Sequence, residues 1–562
     1  MPAALPAKEA ANAMRSNERR PRIGGARAPL LALGLIVSVP PAHGQESKTG
    51  VLKRSEQASP GYTLFAPFET KETYLIDLDG RVVHRWNSEY VPGQSVKLLD
   101  DGHLMRAARE PGESPFHGGG EGGRIEEFDW DGRLLWTFVC CDDDRRQHHD
   151  FEPLPNGNVL VIAWEAKTPE EAIEAGRDVE AAREGLWPDC VLEIEPVRPE
   201  GGKVVWAWRV WDHLIQDRDR DKPNFGVVGD HPELVDLNAG RAAPQAPAET
   251  MSEEELDRLR KLGYIGADGE DDDPPAEEGD RPRGRRAGRR GARELRADWN
   301  HVNSVAYDAA LDQILVSSHN QSEIWLIDHG TTTEEAAAHA GGRRGRGGDL
   351  LYRWGNPANW HAGDARAQQL FGQHDARFIE SGLRGAGRLL VFNNNTRGGM
   401  GFGPNRSEGG SSQLFELELP LRPDGSYARE EGGGFLPKKP LWTYGGGKGE
   451  AKFFSPIVSG SQRLKTGGTL ITSGAEGYIV EVSEKGEIVW EYRSPFRGDK
   501  SKEPRGGDAG PRSPPGGRAG RGEPFGPGGL MAGAFFRAIR IAPDHPAVAG
   551  RTLAPIEPAS RR

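Results

Sequence analysis

Apolar residues in this chain come in short runs, often alternating with polar ones, and Gly, Asp, Asn and Pro punctuate the gaps. The i, i+3, i+4, i+7 spacing of an amphipathic helix is almost absent. The pattern predicts many short strands joined by tight turns.

A larger period lies above the strands. One unit recurs: an apolar strand, a turn, a returning strand, a third strand with acidic residues, a Gly turn, and a strand ending in Trp. The third copy is the clearest. Its strands are Phe151 to Leu154, Val159 to Trp164, Cys190 to Glu195 and Lys203 to Trp208, and Asn156-Gly157 makes the first turn. Asn-Gly supplies the positive φ that a two-residue hairpin needs. The closing strands end at Trp86, Trp136, Trp208, Trp354, Trp442 and Trp490. Six four-stranded units, none able to bury both faces alone, predict an all-β, six-bladed β-propeller of antiparallel blades with low-complexity insertions. The first copy, Tyr62 to Trp86, has only its outer strands clearly marked, and Phe535 to Ile541 follows the sixth Trp. Pairing that segment with the first blade would close the ring and remove two sheet edges.

The rest of the chain fits around this core. Residues 1–44 read as a signal peptide or N-terminal anchor, because Arg15, Arg19, Arg20, Arg22 and Arg27 precede the short apolar run Leu30 to Val39. An exported protein, periplasmic or extracellular, with no stable membrane span after cleavage is expected. The propeller occupies 55–214 and 298–497. Between them, 215–297 is a charged low-complexity insertion with one helical patch, Ser252 to Tyr264. Residues 498–530 are Gly/Pro/Arg-rich and expected to be disordered, and 531–562 hold the ring-closing strand and a tail.

Composition narrows the function. The 76 glycines and 42 prolines suit a turn-rich β fold, and the net charge of −12 argues against a nucleic-acid partner. The basic run Arg281 to Arg296 lies in the insertion and reads as a solvated linker. Cys140, Cys141 and Cys190 make no disulfide framework or zinc spacing. A bridge from Cys190 to one of the others and buried thiols both remain open.

Chemistry concentrates at the starts of inner strands. His148-His149-Asp150, Asn300-His301-Val302-Asn303 and Gln373-His374-Asp375 open three successive copies. The start of each innermost strand lies at one mouth of a propeller's channel, so His149, His301 and His374 are expected to converge. The second strands return to the same mouth at Ser318-His319-Asn320 and Asn393-Asn394-Asn395-Thr396-Arg397. Imidazoles with a guanidinium suit an oxyanion, through forked charged donors and groups that exchange protons near neutrality. Three histidines also suit zinc or copper, but the arginine beside them argues against a metal. No metal and no cofactor is expected.

The stretches HHDFEPLPNGNVLV, DWNHVNSV, QHDARF, FNNNTRGG and FFSPIVSG resemble the bacterial arylsulfate sulfotransferase family over roughly residues 60 to 496. The resemblance implies a six-bladed periplasmic propeller that moves a sulfuryl group from a phenolic sulfate ester to a phenolic acceptor. It also implies that His301 and His374 bind and polarise the sulfate and that Arg397 holds its oxygens. His148, His149, Asn303, His319 and Asn395 are the expected substrate-binding neighbours. One departure stands out: the family's nucleophilic histidine lies a few residues before the Ser-Pro of the last blade, where this chain has Ala451. A non-catalytic propeller binding an anionic or aromatic ligand or a protein is therefore the rival reading. A quinone-dependent dehydrogenase fits less well, because such enzymes usually have more than six copies.

Overall fold

The computed structural model describes residues 49–112, 114–116, 118–239, 297–395, 411–446, 453–496 and 533–556. They form six small antiparallel sheets arranged as a six-bladed β-propeller. From the axis outward, blade 2 is Pro92–Leu98, Leu104–Arg109, Gly123–Phe128 and Leu134–Val139. Blade 3 is Arg145–Pro153, Val159–Glu165, Asp189–Pro196 and Gly202–Arg209. Blade 4 is Val302–Asp308, Gln313–Ser318, Glu323–Asp328 and Tyr352–Trp354. Blade 5 is His374–Phe378, Leu389–Asn393, Gln413–Leu417 and Trp442–Gly445.

Blades 1 and 6 close the ring twice. Blade 1 takes its inner strand, Ile539–Ile541, from the far end of the chain, paired Tyr62↔Ile541 through Leu64↔Ile539. Its other strands are Tyr62–Phe65, Glu72–Ile76 and Val82–Asn87. Blade 6 is Ser459–Arg463, Thr469–Ser473, Tyr478–Val482 and Ile488–Arg493, and it gains Gly50–Arg54 on its outer edge. The repeat did not point to this second closure, since Gly50–Arg54 precedes the first copy. Each addition covers a strand edge whose backbone groups would otherwise need water.

Middle strands are buried on both faces, which is why they read as unbroken apolar runs. All of Val159–Glu165 is buried. Between blades 2 and 3, Ile125, Trp136, Phe151, Val161, Leu192 and Ile194 share one cluster with Cys140 and Cys190. All three cysteines are free thiols, and burial pushes Cys140 up to about 12.

The recurring Trp has a structural cause. Its indole N–H crosses to a carbonyl of the next blade: Trp86 to Asp129 (3.0 Å), Trp136 to Gly201 (2.7 Å), Trp208 to Gly348 (2.7 Å), Trp354 to Pro437 (2.7 Å) and Trp490 to Leu78 (2.9 Å). A buried indole needs such an acceptor. In blade 5 the task passes to Tyr444, whose hydroxyl donates to the Gly486 carbonyl (3.2 Å), while Trp442 lies under Arg463.

Within the insertion, Leu214–Ile215 pairs in parallel with Val235–Asp236. Residues 240–296, the 498–530 segment and the N-terminal 1–48 lie outside the described residues, and so does the Ser252 to Tyr264 patch. Among the described residues no helix is long and apolar enough to cross a membrane.

Candidate active site

The inner strands of blades 3, 4 and 5 carry β-bulges near their starts. Pairing slips between Val161 and Ala163 opposite His148 to Asp150, between Val302 and Ser304, and between His374 and Arg377. His149 and Asp375 take φ of 52° there, and His301 takes the same φ just before its strand. A bulge breaks strand alternation and re-aims neighbouring side chains. Adjacent residues can thereby serve different places: His148 stacks on Trp164 (4.0 Å, 12°), while His149 turns toward the axis and His301.

Four imidazoles form an arc. Ring centroids are 4.7 Å apart for His149 and His301, 5.2 Å for His301 and His319, and 5.2 Å for His319 and His374. Phe536, from the closing segment, stands 6.1 Å from His149 and 6.5 Å from His374. The sequence alignment sets His301 level with His149 and His374, but the inter-blade bonds give a different register. Asp150 accepts from Val305 N–H, Ser304 Oγ from Ala376 N–H, and Asp375 from Ser461 N–H. These make Asp150, Ser304 and Asp375 equivalent, so Asn303 is the counterpart of His149 and His374. His301 reaches the arc from two residues earlier, through its own bulge.

Each ring is held through Nδ1. His301 Nδ1 pairs with Asp298, which also accepts from Trp164 Nε1 (3.1 Å). His319 Nδ1 is 2.9 Å from Asn320 Oδ1. His374 Nδ1 is 2.9 Å from Asn394 Oδ1, and the Asn394 amide donates to the Ser455 carbonyl (2.7 Å). That bond fixes the amide orientation, so His374 carries its proton on Nδ1 and a lone pair on Nε2. His149 Nδ1 lies 2.8 Å from His148 Nδ1, and His148 Nε2 lies 2.7 Å from Asp189 Oδ1. The Nε2 atoms of His149 and His374 are buried without a hydrogen-bond partner among the described residues.

Burial governs the protonation. It holds His148 and His149 well below the usual imidazole range, with the neighbouring His301 adding to the effect. It lowers His374 to about 4, against the opposing bond to Asn394. It drives Asp189 well above the usual carboxylate range. Gly120 covers His149: its carbonyl accepts the His149 N–H (2.8 Å), and a Cβ there would stand 2.1 Å from the ring. At φ +83° the position also favours glycine.

The next residue after each of two site histidines closes the channel. Asp150 and Asp375 both bind Arg537, which also donates to Ser95 Oγ (2.9 Å) and reaches Asp375 at 2.7 Å. Burial opposes the Arg537 charge, but the two carboxylates overcome it and raise its pKa. The guanidinium separates the histidine arc from a cavity of about 970 Å³ at the other mouth, lined by Lys97, Glu152, Tyr307, Arg377 and Arg463.

Of the residues singled out from sequence, His148, His149, His301, His319 and His374 come together. Asn303 donates to the Gln373 carbonyl (2.8 Å) at the junction of blades 4 and 5. Asn395 gives its backbone N–H to the Phe371 carbonyl (3.2 Å), and its neighbour Asn394 is the one that reaches His374. Arg397 and Ala451 lie outside the described residues. Sequence reasoning missed Asp189, Asp298, Asn394, Phe536 and Arg537. Asp298, three residues before His301, and Asn394, inside the polar run Asn393 to Arg397, carried a local signal.

A six-bladed propeller with an arc of pinned imidazoles at its axis defines a class of channel-mouth site built from several blades. The sequence profile described as Arylsulfotransferase (ASST) matches residues 49–413, and the chain belongs to that family. No curated protein matches the chain. Among solved structures it is similar to a protein of unknown function from Bacteroides caccae (13% identity, 79% of this chain and 96% of that one, TM-score 0.37). It is also similar to a Lactobacillus plantarum protein (9% identity, 78% and 85%, TM-score 0.34). A functionally unknown protein from Desulfotomaculum acetoxidans is a third (9%, 77% and 95%, TM-score 0.32).

Proposed function

We propose that this protein transfers a sulfuryl group from a phenolic sulfate ester to a phenolic acceptor at the histidine arc, outside the cytoplasm. The observation that carries the reading is the pair of buried, unpartnered Nε2 atoms on His149 and His374, each in a ring pinned through its other nitrogen. Family membership supports the same reaction class.

Direct transfer needs no sulfurylated histidine, so Ala451 does not forbid it. The acceptor oxygen attacks sulfur, and its proton passes to His149 Nε2. The bond from sulfur to the leaving oxygen breaks, its electron pair stays on the phenolate, and His301 supplies a proton. Asp298 on His301 Nδ1 stabilises the imidazolium that this requires. After release, exchange with solvent restores the starting protonation of both rings. His374 draws a proton onto Nε2 when the anionic ester binds, and with Arg397 it stabilises charge on the transferring group.

The rival reading, a binding protein without turnover, rests on Ala451. One assay separates them: phenol release from a chromogenic aryl sulfate by the full chain, with and without a phenolic acceptor. Acceptor-dependent release that falls by at least about 100-fold in His301→Ala and Arg397→Ala is expected. Unchanged release in both variants would remove these residues from the mechanism, and no release with any donor would leave binding alone.

A further inference from the structure

Away from the channel, three side chains meet at the junction of blades 3 and 4. His213 follows the outer strand of blade 3, and His339 and Asp349 lie between the third and fourth strands of blade 4. One ligand atom from each falls within 4.8 Å of the others. Asp349 Oδ1 is 2.9 Å from His213 Nδ1 and 2.7 Å from His339 Nδ1.

His213 Nε2 lies 2.8 Å from the Ala336 carbonyl. A carbonyl only accepts, so neutral His213 carries its proton on Nε2 and a lone pair on Nδ1. That lone pair faces a carboxylate oxygen, an arrangement of two acceptors that a cation between them relieves. Two imidazole nitrogens and one carboxylate oxygen form a donor set for zinc and its transition-metal neighbours, and not for calcium or magnesium, which take oxygen ligands.

We propose that His213, His339 and Asp349 bind a divalent metal ion of the zinc type, stapling the blade 4 excursion to blade 3. The surroundings hold the ligands in place. Trp208 stacks on His213 (5.7 Å, 9°) and donates to the carbonyl of Gly348, the residue before Asp349. Gly348 has no room for a side chain, since a Cβ would stand 2.6 Å from His213 Nε2 and 2.0 Å from the Ala336 oxygen. The Ala336 carbonyl is the outer partner that fixes a ligating histidine's tautomer. It ends the short helix Thr333–Ala336, which a capping box from Thr332 and Glu335 secures. Seating the ion widens the ligand separations by about half an ångström. His339, with 59% of its side chain exposed, is free to give that movement, and the fourth position opens on its side.

The test is calorimetric titration of zinc into the chelator-treated full chain, beside His339→Ala and Asp349→Asn. The wild type is expected to bind one equivalent more than either variant. Zinc is also expected to raise its melting midpoint more than theirs. His339→Ala removes an exposed side chain, so folding does not confound it. Cobalt is expected to give tetrahedral visible absorption in the wild type that is lost in His339→Ala. Equal stoichiometry in all three proteins, whether the channel histidines take the zinc or nothing does, would overturn the proposal and leave a proton on His213 Nδ1 as the cation.

Discussion

His148 and His149 present their Nδ1 atoms to each other at 2.8 Å, so one carries the proton and the other the lone pair. With Asp189 on His148 Nε2, the three side chains make a single proton path. In the transfer proposed above, a proton gained at His149 Nε2 sends the Nδ1 proton to His148, and the His148 Nε2 proton to an ionised Asp189.

In the transfer proposed above, Asp189 acts as a positioning residue. Asp189→Asn is expected to lower kcat by about 100-fold, with little change in KM, and to shift the basic group of the pH–rate profile downward. Steady-state kinetics across pH would show this. A loss confined to KM would place Asp189 in scaffold packing instead.

Stability is expected to fall in mild acid. His374 titrates at about 4 when folded, below its unfolded value of 6.5. Its contribution is complete above the unfolded value. It is lost as pH falls from there toward 4, because the unfolded chain binds the proton first. The total is roughly 3 kcal/mol, and His148 and His149 shift in the same direction. Melting midpoints measured from pH 7 to 4 should slope less steeply in His374→Gln than in the wild type. Parallel slopes would count against a neutral, buried His374.

The axis carries a second test. Arg537 joins two buried carboxylates; Asp375 is also reached by Arg377 at 2.7 Å, whereas Asp150 pairs with Arg537. Arg537→Met is expected to cost about 3 to 5 kcal/mol, since it leaves the Asp150 carboxylate buried without its guanidinium while Asp375 keeps Arg377. Adding Asp150→Asn and Asp375→Asn should restore much of that loss, as read from urea unfolding midpoints. A triple variant no better than Arg537→Met would mean that the carboxylates are not what Arg537 stabilises.

Local chemistry accounts for what could be read without coordinates. Asn156-Gly157, with φ of +87° at Gly157, marks its hairpin because few other residues take that conformation. Trp208 and four of its counterparts mark their blades because each must find a carbonyl on the next one. The histidines of HHD, NHV and QHD were visible as openers of inner strands for the same reason: strand starts follow from period and turns.

By itself, then, the sequence determined the strand period, the number of blades and the end of the channel that carries imidazoles, because turn chemistry and hydrophobic runs are local. Only the tertiary structure decided what each imidazole leans on. Asp189 lies 41 residues from His148. Asn394 lies 20 residues from His374. Arg537 lies 387 residues from Asp150. Those pairings depend on bulges whose offset differs from blade to blade and on a ring closed by its own two ends, and neither leaves a period to read.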